Sequence, residues 1–491
     1  MAPVPSRAVT PSPAAVAEAL PDQRREQPRP PQALFALAAL AVGVGGAIVL
    51  FANLPVGTLG VDEPLYISVG WDYLHGEASR NLEHPYLAKQ LIGLSQSVFG
   101  RTLLGARLAG GVLAGLTALF VFEVARRVAG RWTGLLAAAL FLLLPQAPGT
   151  NVVRLDRVAA LDTAMSAFLA LSLLLAVVAV QRRSAVALVA AAAAAGLAAS
   201  AKLPGAVAVV PVALAVLALR AEARRTVWLA ATVLAAPLAF WLPYAAQGDA
   251  RLAGLRYAFA FQAQHAADGH PQLVAGAVHE HAPWWSHWWW QQDYLGVPAT
   301  LVLWTAALVA VVGLARRTAP ADPSASVLVL ALLAASIAVV LVSPLRLPHY
   351  HLVWSVALAV VAASGLAATA ARHRLVAGLL AAPLVAAAAV NVERAATLEA
   401  SDYGRLPRVL AQAGVDRGPV LLWGSSAIAQ HYLPPSIPLT DDPARAVAIV
   451  IDPVVADRLQ GTPTDRMLDD AVQSCGPVQH VDRLLLYPCP P

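Results

Sequence analysis

GVDEPLYISVGWDYLHGEASRNLEHPYLAKQLIG, residues 60–93, is the stretch whose reading decides the fold. It lies between two apolar runs, 33–54 and 104–125, each long enough to cross the hydrocarbon core of a bilayer. It opens with paired acids, Asp62 and Glu63, then packs Glu83, His84 and Lys89 into seven positions. So much ionisable chemistry between two membrane-length runs reads as a loop at the membrane surface. It reads as an active site rather than a connector.

The composition agrees. The chain has 491 residues, 58% hydrophobic and 13% charged, and its mean hydropathy is +0.63. Soluble domains carry about 25% charged residues. The pI near 9.4 would suit nucleic acid, but the arginines are not gathered on one stripe. They recur in small clusters between apolar runs, the positive-inside pattern, so no nucleic-acid partner is read. Only two lysines occur, Lys89 and Lys202, among 34 Lys and Arg residues. That reflects either a genome that favours Arg or positions where a compact ammonium is needed.

Eleven spans are expected: 33–54, 104–125, 132–147, 163–180, 185–201, 205–220, 227–244, 297–315, 327–343, 351–371 and 375–391. Arginines fall at Arg126/Arg127/Arg131, Arg182/Arg183, Arg220/Arg224/Arg225, Arg316/Arg317 and Arg372/Arg374. Each cluster follows an even-numbered span, on the side of the N-terminal tail. A wrong helix count would throw some of them to the other face. The expected topology is therefore N-terminus inside and C-terminus outside, in a bacterial-type plasma membrane.

This divides the chain in three. Residues 1–32 form a disordered basic cytoplasmic tail with Arg24, Arg25 and Arg29. Residues 33–391 form an all-α transmembrane module with outer loops 55–103, 148–162 and 245–296. Residues 392–491 carry strand-length apolar runs, PVLLWG (419–424), RAVAIVID (445–452) and RLLLYPC (483–489), with helical patterns between them. They read as a small extracytoplasmic α/β domain without a phosphate loop or a triad. Cys475 and Cys489 lie in it, either as one disulfide or as two buried thiols.

The outer segments hold nearly all the unusual chemistry. Asp62–Glu63 is joined by Asp156 and Asp162 of NVVRLDRVAALDTAM, with Arg154 and Arg157 beside them. The bland alternatives are solvated loops and helix caps. Lys89, Lys202 of SAKLPG and Arg346 of SPLRLPHYH would add, with the two arginines, a positive pocket at the outer headgroup level. A phosphate is its natural ligand; ordinary snorkelling is the alternative. Glu83 and His84 also admit a divalent metal, although no compact zinc spacing is present. The run APWWSHWWWQQDYLG (282–296) reads as an interfacial aromatic belt or as part of a sugar or isoprenoid groove.

Together these residues resemble the GT-C membrane glycosyltransferases, in particular the protein O-mannosyltransferase and lipid A aminoarabinose transferase group, glycosyltransferase family 39. GVDEPLY and EHPYLAKQLIG match the family's acidic pair and following segment, with Tyr86 where a second Pro is usual. RVAALDTAM, SAKLPG and RLPHYHLVW follow in order, so the resemblance covers about 33–391 and not the C-terminal domain. It implies inverting transfer of a sugar from a polyprenyl-phosphate donor to a hydroxyl of a lipid, glycan or protein on the outer face. It implies Asp62 as base and Glu63 positioning it or the acceptor, with Asp162, or Asp156 in its place, on the acceptor side. Lys89, Lys202 and Arg346 would hold the donor phosphate, and His349 and Tyr350 would lie at the substrate. Some relatives bind a metal through the first loop and outer histidines; Glu83, His84 and His349 match that only loosely.

The rival readings are distinct. A transporter or lipid flippase calls for ionisable groups at mid-membrane and inverted repeats, and neither is visible. An oligosaccharyltransferase would carry a WWDYG-like motif in its exterior domain, whereas QQDYLG (291–296) lies in the membrane region. A membrane scaffold with a sensory exterior domain would leave every glycan unchanged when Asp62 is altered.

Overall fold

The computed structural model describes residues 32–491 except 58, 61, 78–79, 147–153, 220–225, 246–249, 317–321, 401, 454–462, 483 and 490–491. The expected basic tail through residue 31, the Arg220/Arg224/Arg225 junction and Arg317 lie outside the described residues.

Helix α1 (Gln32–Phe51) is followed by two helices outside the bundle, α2 (Glu63–Leu74) and α3 (Leu87–Phe99). The chain re-enters through α4 (Leu103–Ala129) and α5 (Arg131–Leu143). A 3-10 turn at Leu155–Arg157 leads to α6 (Leu161–Arg182), α7 (Ala185–Ala201), α8 (Val209–Ala218) and α9 (Thr226–Ala245). A second block outside the bundle holds α10 (Ala250–Asp268), the hairpin β1 (Gln272–Val274) and β2 (Ala277–His279), and α11 (Ser286–Leu295). Then come α12 (Val297–Ala315), α13 (Pro323–Val342), α14 (Leu352–Arg372) and α15 (Arg374–Ala396).

Eight of the described helices are long and apolar enough to cross a membrane, and three shorter apolar segments, Arg131–Leu143, Ala185–Ala201 and Leu203–Ala218, join them. Each overlaps one of the eleven expected spans. With consecutive helices antiparallel, the described arginine junctions share one end of the bundle. There the Asp322 N–H donates to Val128 O at 3.0 Å, and Gln181 Nε2 donates to Asp322 Oδ2 at 2.9 Å. At the opposite end Asn53 Nδ2 donates to Ala396 O at 2.8 Å, joining the end of α1 to the end of α15.

Helix α5 shows why some spans are short. Its 13 residues reach about 20 Å, less than the ~30 Å hydrocarbon thickness. Its last carbonyls therefore need donors within the protein. Arg154 supplies them, with Nη1 2.7, 2.8 and 2.9 Å from the carbonyls of Phe141, Leu142 and Leu144. Asn391 Nδ2 takes Leu143 O at 3.0 Å.

Glycines set two close approaches. A Cβ on Gly93 of α3 would lie 1.9 Å from Gly70 O of α2, so these two helices pack backbone to backbone. A Cβ on Gly110 of α4 would lie 2.6 Å from Asp156 O, which seats the Leu155–Arg157 turn against α4.

Past α15, helix α16 (Leu406–Gln412), β3 (Val420–Trp423), α17 (Ser426–Tyr432), β4 (Leu439–Thr440), β5 (Ala448–Ile451), α18 (Pro463–Gln473), β6 (Gln479–Val481) and β7 (Leu484–Pro488) form the small α/β unit. The sheet order is β4-β3-β5-β7-β6, parallel around β3 and antiparallel around β7. Side chains alternate between faces as strand geometry requires. Val420, Val450, Leu484 and Leu486 pack with Tyr403, Leu406 and Ile428, and Leu59 of the first loop shares that core. Leu421, Ile449 and Ile451 pack with Leu468 on the other face. Cys475 and Cys489 are disulfide-bonded there. The unit thus sits at the bundle end opposite the arginines, and Tyr432 Oη accepts from the Leu59 N–H at 3.2 Å.

Candidate active site

Asp62 stands at the head of α2, accessible to water. Its carboxylate makes no hydrogen bond or ion pair among the described residues. It is nevertheless crowded by protein. Burial raises its carboxyl above the ordinary aspartate value; Lys202 and His270 oppose the rise, and Asp162 and Glu83 add to it. A reachable carboxylate with a raised pKa suits a general base.

Glu63, its neighbour, is buried, and both its oxygens are taken. Arg107 Nε and Nη2 meet Oε1 and Oε2 at 2.7 Å each. The Ala159 N–H donates to Oε1 at 2.8 Å and the Gly60 N–H to Oε2 at 3.0 Å. Glu63 thus spends both its oxygens on the protein itself. It holds the backbone from which Asp62 projects.

Asp162 opens α6 and Lys202 ends α7, and these two helices bring them together. Lys202 Nζ lies 2.8 and 2.9 Å from the two Asp162 oxygens and 4.9 Å from the centre of the Tyr350 ring. His349 stands edge-on to Tyr350, their ring centres 5.0 Å apart. Tyr66 of α2 stands edge-on to His84 at 6.2 Å. Burial pushes the His84 imidazole down to about 3, helped by Lys202 and Lys89 and opposed by Asp162. It is neutral at physiological pH. Asp62, Asp162, Lys202, His84, His349 and Tyr350 thus face one another at one end of the bundle.

Other expected ligands are spent on the protein itself. Arg154 is fully buried, its Nε 2.9 Å from Asp156 Oδ1, and it caps α5 as described. Asp156 is its counter-ion. Arg157 donates to the carbonyls of Val49 and Ala52 and so caps α1. Both arginines answer one demand: helix ends inside the protein need donors for their last carbonyls. Lys89, also expected at the phosphate, is bonded within the protein instead. It is fully buried, with Nζ 2.5 Å from Asn81 O, 2.8 Å from His84 O, and 3.2 Å from both Asn81 Oδ1 and Tyr73 Oη. It pins the loop that carries His84, with Asn81 in the left-handed region at φ 54°. Arg346 donates to Ala282 O and Leu341 O at 2.7 Å each, and its buried Nε has no partner among the described residues.

The metal expectation for Glu83 and His84 is not supported by geometry. Among the described residues no three His, Cys, Asp or Glu side chains gather closely enough to hold an ion. Asn81 Nδ2 occupies Glu83 Oε1 at 2.6 Å. Arg107 is the site residue that sequence reasoning missed. Its signal was present: a charge four residues into an otherwise apolar helix start needs a buried partner.

Comparison with known proteins follows the same outline. The crystal structure of ArnT from Cupriavidus metallidurans bound to undecaprenyl phosphate superposes with TM-score 0.52 at 18% identity, covering 93% of this chain and 97% of that one. The chain has the GT-C glycosyltransferase fold. The Archaeoglobus fulgidus oligosaccharyltransferase in its apo form shares this fold, with TM-score 0.52 and 11% identity over 91% of this chain and 73% of that one. Residues 83–244 match the family described as dolichyl-phosphate-mannose-protein mannosyltransferase. The matched part of the GT-C chain takes in EHPYLAK, Arg107, Asp162 and Lys202 and starts after Asp62. A polyprenol-phosphate-mannose–protein mannosyltransferase of Mycolicibacterium smegmatis is 32% identical over 132 residues, 25% of each chain. The alignment thus spans a quarter of that relative's length. These findings bear out the family resemblance read from the sequence.

Proposed function

We propose that this chain is an inverting glycosyltransferase that moves a sugar from a polyprenyl phosphate to an acceptor hydroxyl. The observation that carries the reading is the open Asp62 carboxylate facing the Asp162–Lys202 pair at one end of a GT-C bundle. Asp62 takes the proton of the acceptor hydroxyl while that oxygen bonds to the anomeric carbon. The bond from that carbon to the phosphate oxygen breaks, and its electron pair leaves on the polyprenyl phosphate. Lys202, held by Asp162, faces the developing negative charge. Arg346, whose buried Nε has no partner among the described residues, is the second cation we assign to the donor phosphate. Glu63 and Arg107 fix the base, and Lys89 fixes the loop of His84.

The relatives support the donor class. One structure holds undecaprenyl phosphate, and the partial sequence match is to an enzyme named for polyprenol-phosphate-mannose. The acceptor is a lipid, glycan or protein hydroxyl. A transporter is disfavoured because the ionisable groups gather at one end of the bundle rather than along a central path. We place the site and the α/β unit outside a bacterial-type plasma membrane and the N-terminus inside. The arginine clusters at the far end and a disulfide within the α/β unit support that placement. Mass spectrometry of surface glycolipids and glycoproteins, with and without the gene, tests the function. Loss of one glycan is expected; unchanged glycans would remove the reading.

A further inference from the structure

A cavity of about 180 Å³ lies between α4, α5, α12, α13 and α14, at the arginine end of the bundle and far from the candidate site. Val128, Val309, Val329, Val360 and Ala367 line it. Its hydroxyls spend their hydrogens on backbone carbonyls. Thr133 Oγ1 donates to Ala129 O at 3.0 Å, Ser326 Oγ to Asp322 O at 2.7 Å and Ser364 Oγ to Val360 O at 2.8 Å. The lining is therefore mostly apolar, and an apolar occupant would gain dispersion contacts on its walls. Val311 and Val327, on α12 and α13 beside it, are exposed and suit a lipid environment.

Charge surrounds this apolar space. Arg127 adjoins Val128, Arg131 lies two residues before Thr133, Arg316 two after Leu314, and Arg372 one turn beyond Ala368. Arg127 is paired with Glu123. Arg316 is exposed and makes no ion pair among the described residues. Mostly apolar walls with arginines at adjoining chain positions match a molecule with an acyl chain and an anionic head.

We propose that this cavity holds one acyl chain of an anionic phospholipid, whose phosphate lies against Arg316 and Arg372. The lipid belongs to the leaflet at the arginine end. It fills the gap between α4, α12, α13 and α14 and ties these helices together at that end.

The test is native mass spectrometry of the full chain, purified in mild detergent and exposed to equimolar phosphatidylglycerol and phosphatidylcholine of matched chain length. The wild type should retain phosphatidylglycerol in preference. Ser364→Leu with Ala368→Leu should lose retained lipid of both kinds. Arg316→Gln and Arg372→Gln should keep a lipid but lose selectivity by about five-fold each. Thermal melting checks that the variants fold, and the wild-type preference stands as a measurement independent of them. Equal retention of the two lipids by the wild type would overturn the proposal. So would unchanged phosphatidylglycerol retention in folded Ser364→Leu/Ala368→Leu protein, or recovery of polyprenyl phosphate as the lipid displaced from it.

Discussion

Arg107 grips Glu63 along both edges of the carboxylate, at 2.7 Å from each oxygen, with both side chains almost wholly out of water. The same guanidinium donates from Nη1 to the carbonyls of Leu54 and Gly57 at 2.8 Å each. One side chain thus joins α4, the loop after α1 and the head of α2. Removing one partner of such a pair leaves a buried charge without compensation, at a cost of about 3–5 kcal/mol. Arg107→Met should lower the melting temperature sharply. Arg107→Lys should not rescue it, because a point charge cannot span two oxygens and two carbonyls. Rescue by Lys would show that charge alone matters there.

Lys202 and Asp162 make a different pair, one that faces the open site. Lys202→Met should weaken binding of a polyprenyl-phosphate sugar about tenfold, near 1.4 kcal/mol, and leave acceptor affinity unchanged. Isothermal titration with donor and acceptor separately checks this. An unchanged donor affinity removes Lys202 from the phosphate site.

The raised carboxyl of Asp62 has two consequences of opposite sign. As a base it must be ionised, so the acid limb of the rate profile should lie above the ordinary aspartate range. As a folded-state group with a raised pKa, it favours the protonated form. Its contribution to stability is then complete below its unfolded pKa and is lost as pH rises through the folded value. Asp62→Asn should therefore melt higher than the wild type at neutral pH, and the difference should vanish in acid. Melting curves across pH decide it; a less stable Asp62→Asn at neutral pH would contradict the cause assigned to the shift.

The Cys475–Cys489 bond closes a loop of 14 residues' separation in the α/β unit. A loop near that length gains about 3 kcal/mol from the cross-link. Replacing both cysteines by Ala should raise hydrogen exchange in β5 and β7 and leave exchange in α6 and α14 unchanged. Uniform loosening of the whole chain would show that the unit is not separately stabilised.

Much of this fold was legible in the sequence. Membrane helices announce themselves by apolar length, and the arginine clusters repeat at every second junction, so the helix count and the shared end of Asp62, Asp162 and Lys202 could be read. The roles of individual charges could not. Asp62 and Glu63 are adjacent and chemically alike, yet one faces the open site and the other is locked. What separates them is Arg107, 44 residues away. Arg154 and Arg157 looked like phosphate ligands because they flank Asp156. Only the early end of α5 and the end of α1 show what they bind. Lys89 misled for a similar reason: two of its four partners are backbone carbonyls, which leave no trace in a sequence.

The most direct measurement is transfer by purified Asp62→Asn protein, with a radiolabelled polyprenyl-phosphate sugar as donor and the acceptor found from the glycan comparison. Melting and donor binding are measured on the same sample. The expected result is loss of transfer by a protein that folds and still binds donor. Wild-type transfer by Asp62→Asn would contradict the assignment of this carboxylate as the base.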